Sequence, residues 1–376
     1  MKNTDTIIVG AGPAGISLAS LLSKENVPYL LLEKSENVAS SWRGHYDRLH
    51  LHTVNSFSHL PLLPFPNNYP RYVSRDLLVS YFDSYISKFN INPIFKSEVK
   101  SISKLDEGWK ILTNSEEYIS RRVVIATGYN NIPFYPEWES LSNYTGEVVH
   151  SRDYKNGIKF KNKNVLVVGA GNTGGEIAID LHENGAKPSI CIRSPLRIVP
   201  RDLLGVPMQI SAIILNKLPL AIADKISQLL LYLTVPNLKK YGILPPAYGS
   251  LRQVKEFQKI PMIDIGTVDL IRKNIVTVYP GIKSFSNLEI EFDDGRKANF
   301  DSIILCTGYK TGLVNLFNNS TDFLDQRGYP LKKGEEINNG LYFAGFNNHI
   351  TGFLHYIGIE SERISKDISN KFRNKI

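Results

Sequence analysis

The 376-residue sequence predicts an α/β fold in which one Rossmann-like domain is inserted into another. Two glycine-rich turns carry this prediction, "VGAGPAG" at residues 9–15 and "VGAGNTG" at residues 168–174. Each follows an apolar run and opens a helical pattern. Two similar strand ends, "ATGY" (126–129) and "CTGY" (306–309), supply the two connections that an inserted domain needs. The chain is also longer than one ordinary core supports.

The order of the predicted elements sets the domain boundaries. A strand–turn–helix–strand pattern occurs twice, over residues 6–33 and 165–194. Further strand patterns follow the second of these, and a helical pattern ends the chain. We therefore predict a discontinuous first domain over residues 1–145 and 301–376, and an inserted domain over residues 146–300.

Composition excludes several classes of protein. Hydrophobic residues make up 42% of the chain and aromatic residues 10%, which is typical of a soluble globular protein. The net charge of +8 comes from scattered Lys and Arg, so it predicts affinity for anionic cofactors and small substrates rather than for nucleic acid.

Cys191 and Cys306 lie in apolar runs without a CxxC motif, so we predict neither a metal site nor a redox disulfide. A strand pattern begins close to Met1 and leaves no room for a signal peptide, which predicts a cytoplasmic protein.

The inserted domain contains a helical segment near residues 207–235. Lys217, Asp224 and Lys225 interrupt its apolar run and Pro219 divides it, so it lacks the roughly 20 apolar residues of a membrane span. We predict two short helices around Pro219. These helices either pack on the domain, cover an active site or contact a membrane surface peripherally.

The first glycine turn predicts a bound dinucleotide. Gly10 permits a tight turn, Gly12 lets the backbone approach a pyrophosphate, and Gly15 allows the helix to pack closely on the strand. Glu33 ends the next strand, where a carboxylate accepts hydrogen bonds from ribose hydroxyls and repels a 2′-phosphate. Pro13 and Ala14 within the turn, and Lys34 after the acid, complete this predicted site.

The second glycine turn has the same form but a different strand end. Its glycines are Gly169, Gly171 and Gly174, and the next strand ends in Arg193 and Ser194 instead of an acid. Because a guanidinium binds phosphate through two parallel hydrogen bonds, this half is predicted to prefer NADPH to NADH. The first half is then predicted to hold FAD. Further residues predicted to lie at the NADPH site are Asn172, Thr173 and Glu176.

The two connections between the domains carry candidate cofactor contacts. Thr127 and Gly128 follow one predicted strand, and Thr307 and Gly308 follow another. Small residues at these positions let the backbone come close to a cofactor. Hinges that make no cofactor contact are the alternative interpretation.

A third motif, "YTGEVVHSRDYKNG" at residues 144–157, resembles the FxGxxxHxxxY signature of the class B flavin-dependent monooxygenases. Gly146, His150 and Tyr154 stand at the matching positions, with Tyr144 in place of the leading Phe. Matches to the YUCCA-type branch in particular include "YDRLHLH" (46–52), "VPRDLLG" (199–205) and "KYGILPP" (240–246).

The resemblance implies an FAD- and NADPH-dependent monooxygenase that forms a C4a-(hydro)peroxyflavin with O₂. In the YUCCA-type branch the implied reaction is oxidative decarboxylation of a 2-oxo acid such as indole-3-pyruvate. N- or S-oxygenation of a soft heteroatom substrate and a non-catalytic nucleotide-binding redox sensor remain alternatives. The sequence identifies neither the substrate nor the oligomeric state.

Three further residues are candidates only through the resemblance. Trp42 stands where the family has a glycine-rich flavin contact, although Ser40 and Ser41 replace the glycines. Asn55 is the candidate catalytic polar group near the reactive flavin edge, with an ordinary turn asparagine as the alternative. In "LYFAGF" Phe346 replaces the acid of a common Gly-Asp pair, which leaves the backbone of Gly345 as the implied flavin contact.

Overall fold

The computed structural model describes residues 2–317 and 319–374. The helices α1 to α9, in chain order, are Pro13–Lys24, Ser40–Gly44, Arg75–Lys88, Asn172–Glu183, Met208–Leu215, Leu220–Thr234, Ser250–Lys255, Thr267–Arg272 and Phe353–Arg373. The strands β1 to β21 are Lys2–Val9, Leu30–Leu32, Val99–Lys104, Trp109–Thr113, Glu117–Ile125, Ile132–Pro133, Glu147–His150, Asn164–Val168, Lys187–Cys191, Ile198–Pro200, Asp202–Leu203, Val206–Pro207, Met262–Asp264, Thr277–Tyr279, Ile282–Ser286, Glu289–Phe292, Lys297–Asn299, Ser302–Leu305, Tyr309–Lys310, Glu336–Asn338 and Leu341–Phe343. Short 3₁₀ turns are Asn55–Phe57, Leu141–Asn143, Ile158–Phe160, Lys239–Tyr241, Leu313–Leu316 and Ser320–Asp322.

The chain forms two compact units, the second inserted into the first, as the sequence predicts. The first unit comprises Met1–Arg43, Thr53–Ile132 and Tyr309–Ile376, and the second comprises Gly44–His52 and Pro133–Gly308. The boundaries differ from the predicted ones at residues 145/146 and 300/301. β18, predicted in the first domain, pairs with β7 and β8 in the sheet of the second unit, and this pairing moves the boundary past it.

The first unit is built on a largely parallel sheet with the strand order β2-β1-β5-β21-β20. β1 lies parallel to β2 and β5, with Ile7 opposite Leu30 and Val123. The antiparallel strands β3 and β4 extend from β5. α1 is buried along almost its whole length and packs against α9.

The second unit has a parallel sheet with the order β14-β9-β8-β18-β7. Its central strands are continuous apolar runs, because helices and loops cover both faces of a parallel sheet. An antiparallel meander, β15-β16-β17, packs its own apolar cluster on this sheet. Both cysteines are free thiols, Cys191 buried and Cys306 half-buried.

The helices predicted around Pro219 are present as α5 and α6. Across residues 2–317 and 319–374, we find no helix with the length and apolar character needed to cross a membrane. α5 buries none of its residues, and α6 buries only one face. Most of α5 is half-buried against β12 and α6, so the packing interpretation accounts for α5 in part and for one face of α6.

Candidate nucleotide sites

The first glycine turn is shaped by contacts that leave no space for a side chain. Gly10 has a φ of 102°, and a Cβ there would lie 2.8 Å from the Ala126 carbonyl oxygen. A Cβ on Gly15 would lie 1.9 Å from the Gly10 carbonyl oxygen. These two glycines therefore let α1 start directly against the end of β1.

Gly12, by contrast, borders open space. The nearest heavy atom to a Cβ there is the Ala126 carbonyl oxygen, at 3.9 Å. Gly12 caps α1 without a side-chain hydrogen bond and Pro13 occupies the first helical turn, so the helix N-terminus keeps unpaired N–H groups. Beside the turn, the buried Thr127 hydroxyl has no hydrogen-bond partner among the described residues. The open space at Gly12, the unpaired N–H groups at the start of α1 and the unpartnered Thr127 hydroxyl together fit a bound nucleotide phosphate.

Glu33 is held at this turn by backbone hydrogen bonds. It directly follows β2 and is only 6% exposed. Its Oε2 accepts from the Ala11 N–H at 2.7 Å, and its Oε1 accepts from the Ser35 N–H at 2.9 Å. Each oxygen keeps a further lone pair, so the carboxylate can still accept hydrogen bonds from ribose hydroxyls.

The other candidates of the first unit make contacts of their own. Lys34 is exposed and its ammonium donates to the Asn131 side chain at 2.8 Å. Trp42 is half-buried in α2, and its ring meets a phenylalanine of α3 edge-on. Asn55 opens a 3₁₀ turn, and its amide donates to the Tyr69 carbonyl at 3.4 Å. These contacts hold the side chains of Lys34 and Asn55 in place within the unit.

Gly345 lies against the first glycine turn, and a buried acid from α9 holds it there. A Cβ on Gly345 would lie 2.9 Å from the Ala14 side chain. Its N–H donates to Glu360 Oε2 at 2.8 Å, and the Asn347 amide donates to Glu360 Oε1. Glu360 is 1% exposed, and its burial raises the pKa of its carboxyl group. The Gly345 N–H is thus already bonded, which leaves its carbonyl for the implied flavin contact.

Glu360 is a residue that the sequence analysis missed. The sequence does contain a signal for it, because Glu360 falls among Leu354, Ile357 and Ile364 on the apolar face of the C-terminal helix. A charged side chain at a core position needs a hydrogen-bond partner. Here the partners, Gly345 and Asn347, lie 15 and 13 residues earlier in the chain.

Replacement of Glu360 by alanine is expected to lower the free energy of unfolding by about 2–4 kcal/mol, because the buried N–H of Gly345 and the half-buried amide of Asn347 would lose their acceptor. Glu360→Gln keeps an acceptor oxygen and is expected to cost less than half of that. Glu362→Ala, at an exposed position of the same helix, serves as the control and should change stability by less than about 0.5 kcal/mol. Urea unfolding measures all three. Equal stability of the Glu360→Ala and Glu362→Ala variants would contradict the assigned role.

The second turn repeats this geometry in the other unit. Gly169 has a φ of 104°, and a Cβ on Gly174 would lie 1.9 Å from the Gly169 carbonyl oxygen. A Cβ on Gly171 would have no atom within 4 Å. The Asn172 side chain accepts from the Ile263 N–H at 2.7 Å, which ties the start of α4 to β13. The open position at Gly171 fits a second nucleotide phosphate.

Two arginines after β9 have opposite environments. Arg193 and Ser194 are exposed just beyond the end of the strand. Arg197 is buried, its guanidinium donates to the carbonyls of Pro246 and Tyr248, and burial lowers its pKa. Arg197 is therefore a structural residue, whereas the position of Arg193 is compatible with binding a ribose phosphate.

A polar cluster surrounds Glu176 of α4, two residues beyond Gly174. Glu176 is 2% exposed, and its Oε1 lies 2.8 Å from His52 Nε2. Burial, followed by the negative charge of Glu176, raises the pKa of the neighbouring Tyr46 well above its ordinary value. Tyr46 and His52 both belong to the segment 44–52, which packs in the second unit. No sequence spacing links this segment to α4, so the cluster was not predicted.

The residues of the third motif pack within the second unit. A Cβ on Gly146 would collide with the Tyr144 ring. His150 ends β7; its Nδ1 accepts from the Arg152 N–H, its Nε2 lies 3.2 Å from the Gly308 carbonyl, and burial lowers its pKa. Tyr154 is fully buried and donates to Asp180 on α4.

The two connections between the units differ in the hydrogen bonding of their threonine hydroxyl groups. Thr307 donates to the Phe134 carbonyl, and the Gly308 carbonyl accepts from the Phe134 N–H at 2.9 Å. Thr127 has no such partner in the described part of the chain, and a Cβ on Gly128 would meet no atom within 4 Å. A cofactor contact is therefore better supported at Thr127 than at Thr307.

Two sheets whose central strands are parallel, each with a complete GxGxxG turn, define a two-dinucleotide-binding oxidoreductase fold. The family model described as pyridine nucleotide-disulphide oxidoreductase matches residues 7–229. A protein of Arabidopsis thaliana, "Probable indole-3-pyruvate monooxygenase YUCCA8", is 36% identical over 97% of this chain and 88% of its own length. The chain belongs to the pyridine nucleotide-disulphide oxidoreductase family and, within it, to the flavin-dependent monooxygenases of the YUCCA type. The resemblance seen in the sequence is thereby confirmed.

Solved structures share the fold at low identity. A flavin-containing monooxygenase from Stenotrophomonas maltophilia has a TM-score of 0.73 and 18% identity, covering 98% of this chain and 99% of its own. OTEMO, in a complex with FAD and NADP, has a TM-score of 0.74 and 15% identity, covering 99% and 86%. At this identity the likeness concerns the fold alone.

Proposed function

We propose that this enzyme uses FAD, NADPH and O₂ for oxidative decarboxylation of a 2-oxo acid such as indole-3-pyruvate. The observation that carries the proposal is the contrast between the two strand ends, a buried Glu33 in one unit and an exposed Arg193 in the other. The 36% identity to a probable indole-3-pyruvate monooxygenase, over 97% of this chain, supports the substrate class. In the net reaction NADPH supplies two electrons, one oxygen atom enters the substrate at its carbonyl carbon, the other becomes water, and CO₂ leaves.

The first unit is proposed to hold FAD, which supplies hydride acceptance and O₂ activation when bound. The N–H groups at the start of α1 bind the pyrophosphate, and Gly12 leaves space for it. Glu33 accepts hydrogen bonds from the ribose, and the orphaned Thr127 hydroxyl donates to the cofactor. The remaining proposed contacts are Gly10, Pro13, Ala14, Gly15, Lys34, Trp42, Gly128 and Gly345, with Asn55 as the proposed catalytic residue.

The second unit is proposed to hold NADPH. Gly171 and the start of α4 receive the pyrophosphate, and Arg193 and Ser194 bind the 2′-phosphate. Glu176, held beside His52, orients the segment 44–52 over the same helix. Other proposed contacts are Gly169, Asn172, Thr173, Gly174, Thr307 and Gly308, while Gly146, His150 and Tyr154 support the unit through packing.

A substrate panel tests the proposed reaction. FAD-loaded protein is supplied with NADPH and O₂, together with indole-3-pyruvate, a tertiary amine or a thioether. We expect indole-3-acetate and CO₂ to form in proportion to the NADPH oxidised. Turnover of only the amine or thioether would favour heteroatom oxygenation. A flavin-loaded protein that oxidises no NADPH with any of them would favour the redox-sensor alternative.

A further inference from the structure

The second unit exposes a set of large apolar side chains around α5 and α6. We call this set the apolar face: Leu204, Val206, Ile214, Leu218, Ile222, Ile226, Leu229, Tyr232 and Leu233. Leu204 is 97% exposed, Tyr232 83% and Leu233 71%. Single exposed apolar residues are ordinary on soluble proteins, but these nine lie on or beside elements that contact one another, the hairpin β11–β12 and the helices α5 and α6, and such a group marks an interaction site.

The orientation of α6 is the reverse of that of an ordinary surface helix. Its apolar stripe, Ile222, Ile226, Leu229 and Leu233, has helical spacing and lies in solvent. Its buried face consists of Ala223, Asp224, Ser227 and Leu231. α6 therefore places its most apolar side outward.

Asp224 fixes this orientation. Its carboxylate is 4% exposed and accepts from the N–H of Gly249 at 2.8 Å and of Arg252 at 3.1 Å, at the start of α7. Rotating α6 to bury its apolar stripe would strip these N–H groups of their acceptor and move a charge into solvent. The outward stripe is thus stabilised by the fold of the unit.

The hairpin β11–β12 adds an unusual residue at its tip. Leu204 has a φ of 50°, in the left-handed region that favours Asn or Gly, and it precedes Gly205 at a φ of 81°. A leucine is disfavoured there by its backbone and, at 97% exposure, gains nothing from packing within the chain. A leucine at this tip would be stabilised only by an apolar environment outside the chain.

Within the segment that carries the apolar face, residues 204–240, the exposed charges are all positive. Between residues 204 and 240 the exposed charged residues are Lys217, Lys225, Lys239 and Lys240. The single acid of that range is the buried Asp224. A second copy of the chain would bring the same lysines against themselves, whereas anionic lipid headgroups complement them.

We propose that the apolar face docks on the surface of an anionic lipid bilayer. The 15 residues of α6 are too few to cross a bilayer, so the helix lies in the interface with its stripe among the acyl chains and its lysines at the phosphates. The proposal does not depend on the substrate or on the cofactors.

Vesicle flotation with the full-length, FAD-loaded protein tests this docking. Vesicles of phosphatidylcholine alone are compared with vesicles that also contain phosphatidylserine, at low and at high salt. We expect binding only to the anionic vesicles, weakened by salt. The triple variant Ile226→Ser/Leu229→Ser/Leu233→Ser and the charge variant Lys217→Gln/Lys225→Gln are each expected to bind about tenfold more weakly.

Ile158→Ser is the matched control, because Ile158 is 67% exposed in the same unit but outside the apolar face. It should bind vesicles like the parent protein, and thermal melting verifies that every variant is folded. Absence of binding to anionic vesicles, or equal binding to neutral ones, would overturn the proposal. So would sedimentation showing that the parent dimerises and the triple variant does not, since a second copy would then cover the face.

Discussion

Gly174→Ala is expected to prevent the second unit from folding, with a loss of about 4 kcal/mol or more. The added Cβ would lie 1.9 Å from the Gly169 carbonyl oxygen, which is backbone and cannot rotate away. Either α4 shifts away from β8 or the turn opens, and both changes disrupt the apolar core beneath. Gly171→Ala, three residues earlier, meets no atom within 4 Å and is expected to leave the unfolding free energy within about 0.5 kcal/mol.

Measuring NADPH binding distinguishes loss of folding from loss of the proposed phosphate site. Gly171→Ala should fold normally yet raise the KM for NADPH by about tenfold or more, since its methyl group would occupy the space proposed for the pyrophosphate. Urea unfolding and steady-state kinetics measure the pair, and the same contrast is expected between Gly15→Ala and Gly12→Ala for FAD retention. A Gly171→Ala variant with unchanged affinity for NADPH would place the phosphate elsewhere. A Gly174→Ala protein as stable as the parent would contradict the packing argument.

Arg193→Ala is expected to raise the KM for NADPH by about 10- to 100-fold while the KM for NADH changes little. A hydrogen bond to a charged group contributes about 1.5–3 kcal/mol, and each 1.4 kcal/mol is tenfold in affinity. NADH has no 2′-phosphate, so removal of the guanidinium costs it nothing. The quantity to measure is the ratio of kcat/KM for the two cofactors.

Two arginines of the same unit serve as controls. Arg272→Ala removes an exposed charge elsewhere and should leave the cofactor ratio unchanged. Arg197→Ala removes a buried donor to two carbonyls and should lower stability without changing the ratio. Equal losses for NADPH and NADH in Arg193→Ala would show that this side chain does not read the 2′-phosphate.

The sequence alone was sufficient for the local features. Glycine spacing predicts the two turns because only glycine fits 2–3 Å from a neighbouring backbone carbonyl, as Gly10 and Gly174 show. Lysines, an aspartate and Pro219 predict two short helices in place of a membrane span, and the structure has them. The residues at the strand ends, Glu33 and Arg193, are likewise read directly from their distance to the turns.

Only the tertiary structure decided which distant segments meet. Pairing of β18 with β7 and β8 sets the boundary between the units, and strand pairing leaves no trace in the spacing of one sequence. The same holds for Glu360 at Gly345, for His52 at Glu176, and for the outward stripe of α6, where Asp224 takes the buried side. Helical periodicity determines that a helix has two faces. Which face is buried depends on the partners that the rest of the chain brings to it, and here a buried carboxylate with backbone donors outweighed four apolar side chains.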